Sequence, residues 1–163
     1  MDTVRSVQLV GRQISDLAIG GAPGVAHASL EITFADGRRE RLEAGPRHGE
    51  LVPCDYHDDA PPLFDVPIAA PHGVSLDTFV DRIERGEQRF ATRSPPYSYL
   101  PPFARNSNAF VSGLLRHAGA DVDTIVRSVD AHIGHVQPLP DVPLVLPLVV
   151  TPGLGHPLDD RYF

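Results

Sequence analysis

The chain has 163 residues, enough for one domain with a continuous core and no disulfide staples. Its net charge of −7 argues against nucleic acid and anionic membrane surfaces as partners. Seventeen prolines and fourteen glycines, with 42% apolar residues, point to a modest core carrying much loop and turn.

Residues 4–10 read as a strand with imperfect alternation, because Val4 and Val10 fall out of phase with Val7 and Leu9. A second extended piece is expected over 13–19, followed by the turn cluster Gly20-Gly21-Ala22-Pro23-Gly24. The clearest strand is 25–34, where His27, Ser29, Glu31 and Thr33 alternate with Ala28, Leu30, Ile32 and Phe34. Asp36-Gly37 is a hairpin signal, 38–42 is the returning strand, and Gly45-Pro46 is read as its end. Residues 46–73 hold six prolines, with short extended pieces expected over 50–52 and 64–68. Ser75 then caps a helix whose face is Leu76, Phe79, Val80 and Ile83, with Gly86 as its terminator. Residues 88–92 read as a short strand or link, and 94–103 as a proline-aromatic connector that cannot be regular helix.

The central helix is expected over 107–118, burying Phe110, Val111, Leu114, Leu115 and Ala118, with Gly119 at its C-cap. Asp121 caps a further helix to about residue 131. Five prolines between 136 and 152 argue for an edge segment or an extended wrap, and 153–163 is expected to be a loosely held tail. These elements make a single α+β domain over 1–163, an antiparallel sheet packed against a central helix.

The amino-terminal residues lack the pattern of a signal peptide, and the longest apolar stretch, 142–150, is too short to span a bilayer. A soluble protein is expected, cytoplasmic or exported by a dedicated secretion system, with no integral membrane segment. One cysteine, Cys54, allows no internal disulfide. It lies in a Pro-Cys-Asp-Tyr loop and reads as a structural thiol.

Ser107 is the best candidate for a reacting atom. A hydroxyl at a helix start meets unpaired backbone N–H groups and the positive end of the helix dipole. These stabilise a nucleophilic oxygen and the oxyanion of acyl transfer. His27 could take the hydroxyl proton, and Glu43 or His48, near the end of the returning strand, should approach His27 if the hairpin folds about Asp36-Gly37. Asn106, Asn108, Tyr97 and Tyr99 are the candidate substrate contacts, the tyrosines as walls of a groove leading to Ser107. Ser and Asn are ordinary helix caps, and that alone would explain Asn106-Ser107-Asn108.

A histidine strand, a hairpin and then a late helix opening Asn106-Ser107-Asn108-Ala109-Phe110 resemble the circularly permuted branch of the papain-like superfamily. That branch includes lecithin:retinol acyltransferase-like enzymes and bacterial amidohydrolases, whose helix often opens Asn-Cys-x-x-Phe. The stretch is also similar to segments in bacterial polymorphic toxin domains. The resemblance covers under a fifth of the chain and places Ser107 where the family has cysteine. It implies a permuted papain-like fold and a hydrolase or acyltransferase acting on a peptide, peptidoglycan or lipid, with an immunity protein as partner if the protein is a toxin or effector. Serine is a weaker nucleophile than a thiolate, so the alternative is a catalytically inactive papain-like binding or accessory domain.

No phosphate loop, dinucleotide, kinase or zinc-finger pattern is present, so no cofactor and no metal is expected. Asp55, His57, Asp58 and Asp59, with His48 and His72 around them, could serve a metal-dependent enzyme but read as an exposed acidic loop. His132 and His135, with His117 and His156, read as helix-end residues.

Overall fold

The computed structural model describes residues 3–13, 26–54, 61–98, 105–134, 154–155 and 157–163. The stretches expected at 14–19, 20–24, 55–59, 99–103 and 136–152 lie outside them. Six strands are formed: β1 (Val4–Gln13), β2 (Ala26–Phe34), β3 (Arg39–Leu42), β4 (Ala44–Arg47), β5 (Glu50–Pro53) and β6 (Pro62–Pro67). The helices are α1 (Leu76–Phe90), α2 (Ser107–His117) and α3 (Val122–Gly134), with a short 3-10 turn at Asp160–Tyr162. The architecture is mixed α+β, with an antiparallel four-stranded sheet in the order β3-β2-β1-β6 and a second, two-stranded sheet of β4 and β5.

The out-of-phase residues of β1 have separate causes. The register shifts between Val4 and Ser6, so that Val4 pairs with Phe34 while Val7 pairs with Ile32. The extra residue is a β-bulge, and it returns Val4 to the core face with Val7 and Leu9. Val10 stays on the opposite face, opposite Ser29, and both are buried. Gly11 pairs with Ala28 on one side and Phe64 on the other. A Cβ at Gly11 would lie 2.0 Å from the Phe64 ring, so the glycine is required by close approach.

The returning strand does not end at Gly45-Pro46. After Leu42 the chain turns at Glu43 and continues as β4, leaving the first sheet for the second. Pro46 is accommodated because β4 is an edge strand, β5 being flanked on its other side by residues 95–97. The β4–β5 connection is a two-residue turn with both φ values positive, 52° at His48 and 85° at Gly49, the geometry of a primed hairpin turn.

Helix α1 begins as expected, with Ser75 accepting from Thr78 N–H at 3.1 Å. It runs through Gly86, however, and its last turn absorbs 88–90. Gly86 lies on the buried stripe with Phe79, Ile83 and Phe90. A Cβ there would lie 3.0 Å from Leu114 and 3.2 Å from His117. The glycine sets a close helix–helix approach and does not stop the helix.

The tail is also corrected. Leu154, Leu158 and Phe163 are buried in the same core cluster as the sheet and the three helices. Phe163 stacks on Phe90 at 5.6 Å and meets Phe110 at 6.2 Å, while Phe90 and Phe110 lie 4.7 Å apart. Such ring pairs add about 0.5–1.5 kcal/mol each beyond burial. Gly113 makes room, since a Cβ on it would lie 2.4 Å from the Phe163 ring. Polar bonds complete the attachment: Ser112 Oγ donates to Leu154 O at 2.5 Å, Arg116 Nη2 to Leu158 O at 2.6 Å, and Leu158 N–H to Ala109 O at 3.1 Å. Helix α2 is thereby clamped between α1, β2 and the tail.

Candidate active site

Helix α2 opens where β3 leaves β2. The β2–β3 pairing stops at Leu30 and Leu42. The next positions of β2, running toward His27, therefore lose their neighbour on that side. There Ala28 N–H donates to Asn108 Oδ1 at 2.8 Å, so a side chain from the helix start occupies the place of a strand. A buried N–H left unpaired would cost about 1–3 kcal/mol. The bond therefore ties α2 to β2 at one defined point.

Each residue in this bond is followed or preceded by a candidate catalytic residue. His27 precedes Ala28, and Ser107 precedes Asn108. His27 Nε2 lies 2.7 Å from Glu43 Oε2. Glu43 is 3% exposed and sits at the bend between β3 and β4. A carboxylate oxygen facing a ring nitrogen at this distance favours the tautomer that carries its proton on Nε2. Continuing the β2–β3 register places Glu43 on the same sheet face as His27, Ser29 and Glu31. Asn108 meets Ala28 in the plane of the sheet, so the helix start borders that face.

At the helix start, Asn106 is the N-cap and its Oδ1 accepts from Ala109 N–H at 3.1 Å. Phe110 N–H bonds Asn106 O at 2.9 Å. Asn106, Ser107 and Asn108 are all buried, and Ser107 is 8% exposed. The Ser107 hydroxyl donates to Asn108 Oδ1 at 3.4 Å, a long bond. Among the described residues no hydrogen bond joins that hydroxyl to the His27 ring.

The remaining candidates separate. His48 is exposed at the tip of the β4–β5 hairpin, in a left-handed conformation. The turn that holds it carries it away from the bend at Glu43, so the carboxylate alone of the two is bonded to His27. Tyr97 is half-buried against the core, and its N–H donates to Gly49 O at 2.8 Å, which makes it part of the second sheet's flank. Tyr99 lies outside the described residues. Just beyond Tyr97, Ser98 and Arg105 exchange backbone bonds of 3.0 and 2.7 Å. This neck connects the second sheet to the residue before the Asn106 cap. Cys54 N–H donates to Glu43 O at 3.1 Å, so the thiol residue supports the bend.

Charged residues not singled out in the sequence share the histidine's face. Arg12 Nη2 lies 2.6 Å from Glu31 Oε1, and Arg41 Nη2 lies 3.2 Å from the same oxygen. Arg12 is the register partner of His27 across β1 and β2. The alternation of β2 carried this signal, because Glu31 follows His27 at an even spacing. Among the described residues no group of three or more His, Cys, Asp or Glu is placed to hold a metal ion. No described helix is long and apolar enough to cross a membrane.

The chain matches no family model, no curated protein and no solved structure.

Proposed function

We propose that the protein is a hydrolase or acyltransferase of permuted papain-like type that cleaves an amide or ester bond with Ser107 as nucleophile. The observation that carries the reading is the part-buried His27–Glu43 pair at 2.7 Å on the strand whose next residue is bonded to Asn108, the neighbour of Ser107. Glu43 holds the imidazole in one tautomer and stabilises the imidazolium that forms. His27 Nδ1 takes the Ser107 proton as Oγ adds to the substrate carbonyl. Asn106 or backbone N–H groups near Ser107 hold the resulting oxyanion. Collapse breaks the bond to the leaving amine or alcohol, which carries the proton from His27. Water then releases the acid, or a second alcohol or amine takes the acyl group. The long bond from Ser107 Oγ to Asn108 Oδ1 breaks before attack.

Peptides, peptidoglycan stems and lipids are the substrate classes for this chemistry. A role as a bacterial toxin or effector, with an immunity protein as partner, follows from the same resemblance. The second reading, a papain-like binding domain without activity, is favoured by the shielding of Ser107 and its bond to Asn108. Turnover of activated ester and anilide substrates decides between them. The enzyme reading expects hydrolysis by the wild type and none by Ser107→Ala at equal folded concentration. Equal background rates in both would favour the binding domain.

A further inference from the structure

We infer that Asn108 is a positioning residue that sets the nucleophile helix against the histidine strand, a role distinct from the substrate contact its place beside Ser107 suggests. Asn108 is 2% exposed, which leaves little of its side chain available to a ligand. Its Oδ1 accepts from two donors, Ala28 N–H at 2.8 Å and Ser107 Oγ at 3.4 Å. A backbone N–H requires an acceptor, so the atom facing Ala28 is the oxygen of the amide. One oxygen thus holds the residue after the base and receives a long bond from the hydroxyl of the nucleophile. The location explains the choice of residue type. Where β3 turns away at Glu43, β2 needs an acceptor at the distance a strand carbonyl would supply, and a short amide side chain on the first turn of α2 supplies it. The same departure of β3 brings Glu43 to His27. One bend in the chain therefore creates both the opening that Asn108 fills and the His27–Glu43 pair.

Tail and aromatic packing fix the body of α2, and Asn108 adds a polar contact that sets the register of its first turn on β2. The role in reactivity rests on the reading of Ser107 as nucleophile, whereas the role in holding the strand does not. Both are measured on the full chain with Asn108→Leu, which removes the acceptor at similar size, and Asn108→Asp, which keeps it. Amide hydrogen exchange at Ala28 reports the bond. Saturation kinetics of a fluorophosphonate probe separate binding, KI, from the covalent step, kinact. In the leucine variant the Ala28 amide should lose its protection while the amides of β1 keep theirs. Its kinact should fall about tenfold, the factor set by one hydrogen bond of ordinary strength, with KI unchanged. The aspartate variant should restore both. A leucine variant with wild-type Ala28 protection and kinact would overturn the proposal, as would an aspartate variant that rescues neither. If the wild type reacts with no probe, the nucleophile reading fails, and Ala28 exchange alone decides the role of Asn108.

Discussion

Helix α2 has two unlike parts, and their difference explains how a buried polar site is tolerated in a domain of this size. Its body, from Phe110 onward, is held by apolar contacts to Phe90 and Phe163 and by close approach at Gly113. Its first turn is polar and still buried, with Asn106, Ser107 and Asn108 paired to backbone groups and to one another. The body supplies stability. The first turn uses that stability to keep hydrogen-bonding groups out of water in a fixed arrangement against Ala28 of β2.

The comparison breaks most visibly if the body is cut. Phe110→Ala should cost about 3–5 kcal/mol in urea unfolding, the range for a deleted core phenylalanine. Phe163→Ala should fall in the same range, whereas a loosely held tail would change stability by no more than about 0.5 kcal/mol. On the polar side, Glu43→Gln should leave the fold intact by circular dichroism and slow probe reaction at Ser107 by about 100- to 10,000-fold, the range for a disturbed general base. A rate within a factor of two of wild type would detach Glu43 from the chemistry. Gly113→Ala pushes the Phe163 ring away and should cost about 1–3 kcal/mol by the same unfolding measurement.

The smallest effect should come from an exposed cap remote from both parts. Asp121 accepts from Thr124 N–H at 3.2 Å and from its hydroxyl at 2.7 Å. The Thr124 side-chain and backbone bonds hold its carboxyl below the ordinary value of 3.8. A lowered native value stabilises the fold above the unfolded value, and that contribution is lost as pH falls through the native one. The Tm difference between wild type and Asp121→Ala should therefore be constant above about pH 5 and shrink on acidification below 3.8. An unchanged gap at low pH would show that the carboxylate does not act as the cap.

Much of this was legible in the residues because it follows local periodicity. The alternation in 25–34, the Asp36-Gly37 turn, the Ser75 cap and the apolar stripe of α2 each state their structure within a few positions. The candidate site was legible in part. Ser107, His27 and Glu43 were found as residue types at suitable element ends, but the choice between Glu43 and His48 was not. It depends on a bend between two sheets and on a His48-Gly49 turn whose positive φ values follow from hairpin pairing. Gly86 and Gly113 show a second limit. A glycine in a helical pattern reads as a stop or a weakness, and only the neighbour across the interface reveals it as a point of close approach. Leu154, Leu158 and Phe163 show the third. Their spacing is irregular, and no periodic signal announces them.

The proposed reactivity of Ser107 depends on His27 taking its proton. Mapping a fluorophosphonate adduct by peptide mass spectrometry tests it most directly, with wild type, Ser107→Ala and His27→Gln treated side by side. The account predicts an adduct on the peptide containing Ser107 in the wild type, none in Ser107→Ala and only trace labelling in His27→Gln. An unmodified wild type, an adduct on another residue, or labelling of Ser107 that is indifferent to His27 would contradict it.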